Sequence, residues 1–146
     1  MNYFLPGGTG FIGRFLVEKL LARGGTVHVL VREESRFKLD TLKERWNASD
    51  EQIKVVVGDL AKPNLGLDDQ DLKSLYGNID HFFHLAAVYD MGANEESQAV
   101  ANIEGTRHAV QAAEAMGAKR FHHVSSIAAA GMFEGIFRED MFEEAE

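Results

Sequence analysis

A doubly wound parallel α/β sheet is the fold class this sequence predicts, and three observations carry the prediction. Short runs rich in β-branched and aromatic residues recur at Tyr3 to Leu5, Thr26 to Val31, Ile53 to Val57, His81 to Leu85 and Phe121 to Val124. Segments of helical character separate them, and such an alternation closes through right-handed crossovers into a parallel sheet with helices on both faces. A cluster of glycines stands directly after the first run, where a buried strand must turn sharply into a helix. Five strands of this kind fill the order 3-2-1-4-5, with the fifth at an edge.

The first helix is expected from near Gly10 to about Arg23, where Ile12, Leu16 and Leu20 lie four apart and form a stripe facing the sheet. Gly24 and Gly25 end it. The second runs from about Ser35, as N-cap, to Trp46, and its alternating charges mark an exposed face. Lys62 to Gln70, with Pro63, Gly66 and two aspartates, reads as a loop. The fourth helix spans about Glu95 to Met116, with Ala99, Ile103, Val110 and Ala113 along one side and Gly117 as its stop. Phenylalanines of the first helix and fourth strand are expected in the core. No repeat, low-complexity segment or inter-domain linker interrupts the pattern.

Composition narrows the function classes. The chain has 146 residues, 45% of them hydrophobic, enough for one core and too few for two. With a net charge of −8 and no run of Lys or Arg, it lacks the electrostatic footprint of a nucleic-acid or anionic-membrane binder. No cysteine is present, which excludes disulfides, thiolate metal sites and Cys nucleophiles. The apolar stretches are too short for a membrane span or a secretory leader, so a cytoplasmic protein is expected. Of the six histidines, His81 and His84 lie three apart on a strand and His122 and His123 are adjacent, so each pair points to opposite faces and no metal site is expected.

The segment Gly7-Gly8-Thr9-Gly10-Phe11-Ile12-Gly13 satisfies GxxGxxG on Gly7, Gly10 and Gly13 and GxGxxG on Gly8, Gly10 and Gly13. At a strand-to-helix junction such glycines allow positive φ, close approach of backbone to a phosphate, and tight packing of helix on strand. The free N–H groups at the helix start and the helix dipole then favour an anion, and a pyrophosphate is the natural occupant. The residue closing the second strand reads the ribose, and here it is Arg32. A guanidinium pairs bidentately with a 2′-phosphate, so Arg32, assisted by Arg36, favours NADP, whereas Glu33 or Glu34 turned inward would favour NAD.

Taken with further landmarks, the chain resembles an extended short-chain dehydrogenase/reductase. Gly58-Asp59-Leu60 follows the third strand, His84-Leu85-Ala86-Ala87 the fourth, Asn102-Ile103-Glu104-Gly105-Thr106 lies in the fourth helix, and Val124-Ser125-Ser126 ends the fifth strand. Within that family the wording of HFFHLAAVYDMGANEES and NIEGTRHAVQAAEAMGAKRFHHVSSIAAAG is most similar to bacterial fatty acyl-CoA reductases. The resemblance implies a Rossmann-type domain that uses NADPH to reduce long-chain acyl thioesters toward aldehydes or alcohols. A sugar-nucleotide epimerase or dehydratase holding NAD, and a non-catalytic dinucleotide sensor, are the alternatives.

The same resemblance implies cofactor contacts from Gly7, Thr9, Gly10, Phe11, Ile12, Gly13, Asp59, Leu60, Ala86, Ala87 and Val88, beside Arg32 and Arg36. Asp59 would accept from the adenine amino group, with loop capping as its other reading. Ser126 would steady the substrate carbonyl oxygen, together with a Tyr donating the proton and a Lys lowering its pKa. That Tyr-xxx-Lys pair is absent, since Tyr3, Tyr76 and Tyr89 are followed four places on by Gly7, Asp80 and Ala93. In the family pattern the Tyr would fall a few residues past Glu146, so residues 1–146 are expected to be the truncated N-terminal, cofactor-binding part of a longer reductase, inactive alone. An uncovered fifth strand is then expected to promote self-association. Pro6 stands where the family carries Thr, which removes a hydroxyl and an N–H just before the turn.

Overall fold

The computed structural model describes residues 1–87, 95–141 and 143–144. Among them, β1 (Asn2–Pro6), β2 (Thr26–Val31), β3 (Ile53–Val57), β4 (His81–His84) and β5 (Arg120–His123) form one sheet in the order β3-β2-β1-β4-β5. Every pairing is parallel, with Tyr3 opposite Val27 and His81, and His84 opposite His123. The expected doubly wound α/β fold is therefore the fold found. The strand order reverses direction between β1 and β4, and open sheets of this kind bind ligands beyond the carboxyl ends of the strands at that point.

Alternating residues of the sheet feed two cores. Tyr3, Leu5, Val27, Val29 and Val31 pack toward helix α1 (Phe11–Ala22) and Leu39 of α2 (Arg36–Trp46). Phe4, Leu30 and Phe82 pack on the other face against Leu72 and Leu75 of α3 (Asp69–Leu75), Ala109 and Ala112 of α4 (Glu95–Ala115), and Met116 just beyond it. Pro6, at the last position of the central strand, keeps its carbonyl in the ladder by accepting from Leu85 N at 3.1 Å. No described helix is long and apolar enough to cross a membrane.

Several local expectations are corrected. In α1 the buried stripe is Gly13, Val17 and Leu20, whereas Ile12 is 57% exposed and Leu16 only partly covered. A Cβ on Gly13 would run into Gly7 O, so this glycine must face the turn, and its close approach sets the rotation of the whole helix. Phe11 and Phe15 consequently lie outside the core, 74% and 44% exposed, edge to face with each other and flanking the Arg14 guanidinium. In α4 the buried residues, among those described, are Gly105, Ala109, Ala112 and Ala113, so of the expected stripe only Ala113 is buried, and Ile103 (60% exposed), Val110 and Ala99 are exposed. Small residues let the helix approach the sheet, and that gain outweighs burying the two β-branched side chains.

A 3-10 turn over Glu33–Ser35 precedes α2, and Ser35 occupies the N-cap position without a side-chain bond. The loop expected over Lys62 to Gln70 contains a 3-10 turn at Pro63–Gly66 and ends early, because Asp68 accepts from Asp71 N at 2.8 Å and starts α3 at Asp69. β4 stops at His84 and β5 runs Arg120–His123, with Val124 N still donating to His84 O. The histidines pair across the two strands rather than along them. His81 Nδ1 lies 2.9 Å from His122 Nε2 on one face, and His84 stacks on His123 on the other.

Candidate cofactor site

A cleft of about 750 Å³ opens at the carboxyl edge of the sheet. Its floor is Pro6, Gly7, Thr9 and Gly10 after β1, and its walls are Leu30 to Arg32, Gly58 to Ala61, and Leu85 to Ala87. Val100, Ala101 and Glu104 of α4 close one side. The junctions after β1, β2, β3 and β4, four in all, thus converge on one space at the carboxyl edge of the parallel sheet.

The turn below the cleft is built on glycine for identifiable reasons. Gly7 has φ +88°, and a Cβ there would lie 2.7 Å from Ala86 N, so the first and fourth junctions touch only because Gly7 has no side chain. Gly10 N donates to Gly7 O at 3.1 Å and closes the turn. Gly10 is the extended N-cap of α1 with no side-chain cap, and no acidic residue sits in the first helical turn. The first N–H groups of the helix are thereby left for an anion. Phe11 and Ile12 begin this helix, where their backbone rather than their exposed side chains belongs to the turn.

The ribose end differs in detail from the sequence expectation. Arg32 lines the cleft and pairs with Glu34 at 3.3 Å. Arg36 does not line it and reaches Glu33 at 4.0 Å. Ser35 and Lys38 line it instead, residues the sequence reading passed over. The signal was the short turn at Glu33–Ser35, which shifts the phase of α2 so that position 38 rather than 36 meets the cleft.

Asp59 and Leu60 line the cleft in the wall formed after β3. Asp59 Oδ1 accepts from Ala61 N at 2.9 Å, so the carboxylate caps its own loop while lining the cleft. Leu60 packs on Gly105, and its carbonyl accepts from His108 Nδ1 at 2.9 Å. Ala86 and Ala87 form the remaining wall, and Val88 lies outside the described residues. Behind that wall His84 is buried, with Nε2 3.2 Å from Thr106 Oγ1 and no partner on Nδ1 among the described residues. Burial, followed by the charge of His123, pushes its pKa down to about 4, so the ring is neutral.

Ser126 is exposed, does not line the cleft, and accepts from Ala128 N at 3.2 Å as the N-cap of a 3-10 turn over Ile127–Ala130. Its hydroxyl is occupied locally by this capping.

Comparison with known proteins agrees with this geometry. The family model described as Male sterility protein matches residues 5–146. Fatty acyl-CoA reductase 1 of Mus musculus is 30% identical over 142 residues, covering 86% of this chain and 28% of the relative. Among solved structures, the terminal R domain of the myxalamid PKS-NRPS pathway is 31% identical with a TM-score of 0.73, covering 88% of this chain and 35% of that one. Gre2 of Candida albicans, solved with NADPH, is 25% identical with a TM-score of 0.74, covering 89% and 38%. The chain spans about a third or less of the length of the curated relatives it matches. A glycine turn, four converging junctions and a family match over nearly every residue lead to one assignment: the chain belongs to the Male sterility protein family, the reductase-containing, short-chain-dehydrogenase-like group that includes the fatty acyl-CoA reductases.

Proposed function

We propose that residues 1–146 form the NADPH-binding part of a longer reductase that acts on fatty acyl thioesters. The observation that carries the reading is the cleft itself. Its floor is a glycine turn with uncapped helix N–H groups, and one end presents Arg32, Ser35 and Lys38 together. Two cations and a hydroxyl around one position suit a 2′-phosphate better than a bare ribose, and Glu33 and Glu34 are each engaged by an arginine. In this reading the pyrophosphate lies on the turn from Gly7 to Gly13, the adenine near Asp59 and Leu60, and the nicotinamide ribose beside Ala86, Ala87 and Val88.

When bound, the nicotinamide supplies the hydride. The chain's own part is to bind and orient it, and Ser126, released from its cap, would steady the oxygen of the carbonyl group whose carbon accepts the hydride. The Tyr-xxx-Lys pair is not in this sequence, so the chain binds cofactor without turning over substrate. The acyl thioester substrate rests on the reductase relatives, and the edge strand β5 supports association of two chains through residues 121–124.

Calorimetric titration with NADPH and NADH tests the cofactor. Tighter binding of NADPH is expected, and equal affinity would remove the argument from Arg32 and Lys38. Turnover of an acyl-CoA by chain 1–146 would overturn the assignment of the proton donor to another segment. Light scattering that reports a monomer at high concentration would count against association.

A further inference from the structure

We infer that two histidines outside the cleft divide the positioning of the cofactor between them: His84, through Thr106, sets the nicotinamide-side wall, and His108, through the Leu60 carbonyl, sets the adenine-side wall. The inference rests on the cofactor reading above and assigns roles to residues that touch no ligand.

The geometry carries it. Two polar ties of α4 to the walls of the cleft come from Thr106 and His108, two residues and about half a helical turn apart. His108 Nδ1 donates to Leu60 O at 2.9 Å, and the carbonyl can only accept, which fixes that tautomer. Gly105 lies against Leu60, with space for no Cβ, so this tie and this contact lock α4 to the junction after β3. His84 Nε2 meets Thr106 Oγ1 at 3.2 Å and locks the same helix to the end of β4.

His84 is also a backbone node. Its carbonyl accepts from Val124 N at 3.1 Å, and the next residue, Leu85, donates to Pro6 O at 3.1 Å. His84 and Leu85 together therefore register α4, the start of the segment to Ser126, and the strand leading into the glycine turn. Ala86 and Ala87 follow immediately and have no side chains long enough to anchor themselves, so their placement depends on what holds His84. A neutral ring suits the role: a second N–H at Nδ1 would be buried without an acceptor among the described residues.

The test separates the two ends of the ligand by using NADPH and 2′,5′-ADP, which carries only the adenine half. Thr106→Val, nearly isosteric, should weaken NADPH about 5-fold and leave 2′,5′-ADP unchanged, and Thr106→Ser should restore binding. His108→Phe should weaken both ligands by a similar factor, and His108→Asn, which keeps a donor near Nδ1, should recover most of it. His84→Phe added to Thr106→Val should cost nothing more in NADPH affinity. Equal loss of both ligands in Thr106→Val, or no loss of either, overturns the division.

A measurement without ligand keeps the tie separate from the cofactor reading. Amide hydrogen exchange at Leu85 and Val124 should accelerate about 5-fold in Thr106→Val while β2 and β3 amides stay protected. Unchanged exchange at both overturns the tie whatever the wild type binds. Accelerated exchange in Thr106→Val, when the wild-type chain binds neither ligand, upholds the tie but overturns its link to the cofactor, because the cleft reading has then failed.

Discussion

Arg32, Arg36 and Lys38 show how a single residue's role depends on the phase of the backbone around it. All three are cations within one short stretch, and charge alone does not rank them. The 3-10 turn over Glu33–Ser35 turns Lys38 toward the cleft and Arg36 away, so Arg32 and Lys38 are the pair available to a 2′-phosphate. Arg32→Ala and Lys38→Ala should each weaken NADPH by about 10-fold, the lower range for a charge-assisted hydrogen bond to an accessible group. NADH affinity should change little in either, and Arg36→Ala should leave both cofactors unaffected. Titration of the three variants with both cofactors checks this, and a larger loss for Arg36→Ala than for Lys38→Ala would refute the assignment.

At the scale of elements, the helices were legible in position and not in rotation. α1 and α4 lie close to where periodicity placed them, yet the faces they bury are set by glycine and alanine rather than by their largest apolar residues. A hydrophobic pattern rewards Ile12 and Ile103, whereas the packing rewards close approach of Gly13 to the turn at Gly7, of Gly105 to Leu60, and burial of Ala109 and Ala112 in the core. Ala112→Leu should therefore destabilise the chain by about 1–3 kcal/mol through overpacking, and Ile103→Ser should stay within about 0.5 kcal/mol. Urea midpoints would reverse that ranking if α4 buried its Ile103 side. The strands carry a second consequence, because β4 and β5 bring His84 against His123 and His81 against His122. Burial holds the pKa of His84 at about 4 and lowers that of His122, against an ordinary 6.5. A histidine depressed in the fold is protonated first in the unfolded chain, so its contribution to stability is complete above pH 6.5 and declines as pH falls toward 4. For His84 the loss amounts to about 2–3 kcal/mol over that window. Unfolding free energies measured between pH 7.5 and 5 should fall accordingly, and His84→Gln should flatten the slope; equal slopes in the two proteins would reject it.

For the molecule as a whole, topology was the most legible level, because five β-branched and aromatic runs separated by crossovers leave few ways to arrange a parallel sheet. The order β3-β2-β1-β4-β5 then places the glycine turn, Asp59 and Ala86 around one cleft although the chain separates them widely. Less legible were the residues that join that space by phase or by indirect support, such as Lys38, Glu104, His84 and His108, since each depends on a rotation or a cross-element bond that no local pattern encodes. A ligand seated there touches the junctions after β1, β2, β3 and β4 at once, so binding should stabilise the whole sheet rather than one loop. NADPH at a hundred times its dissociation constant contributes about 2.7 kcal/mol to the folded state. In a domain of this size each kcal/mol raises Tm by about 2–4 °C, which gives an upward shift of about 5–10 °C. NADH at the same concentration should give a smaller shift, in proportion to its weaker occupancy of the Arg32 and Lys38 end. Thermal unfolding followed by circular dichroism decides the matter: a shift of the expected size for NADPH supports a cleft that is formed in chain 1–146, and no shift with either cofactor would mean that the four junctions do not act as one site.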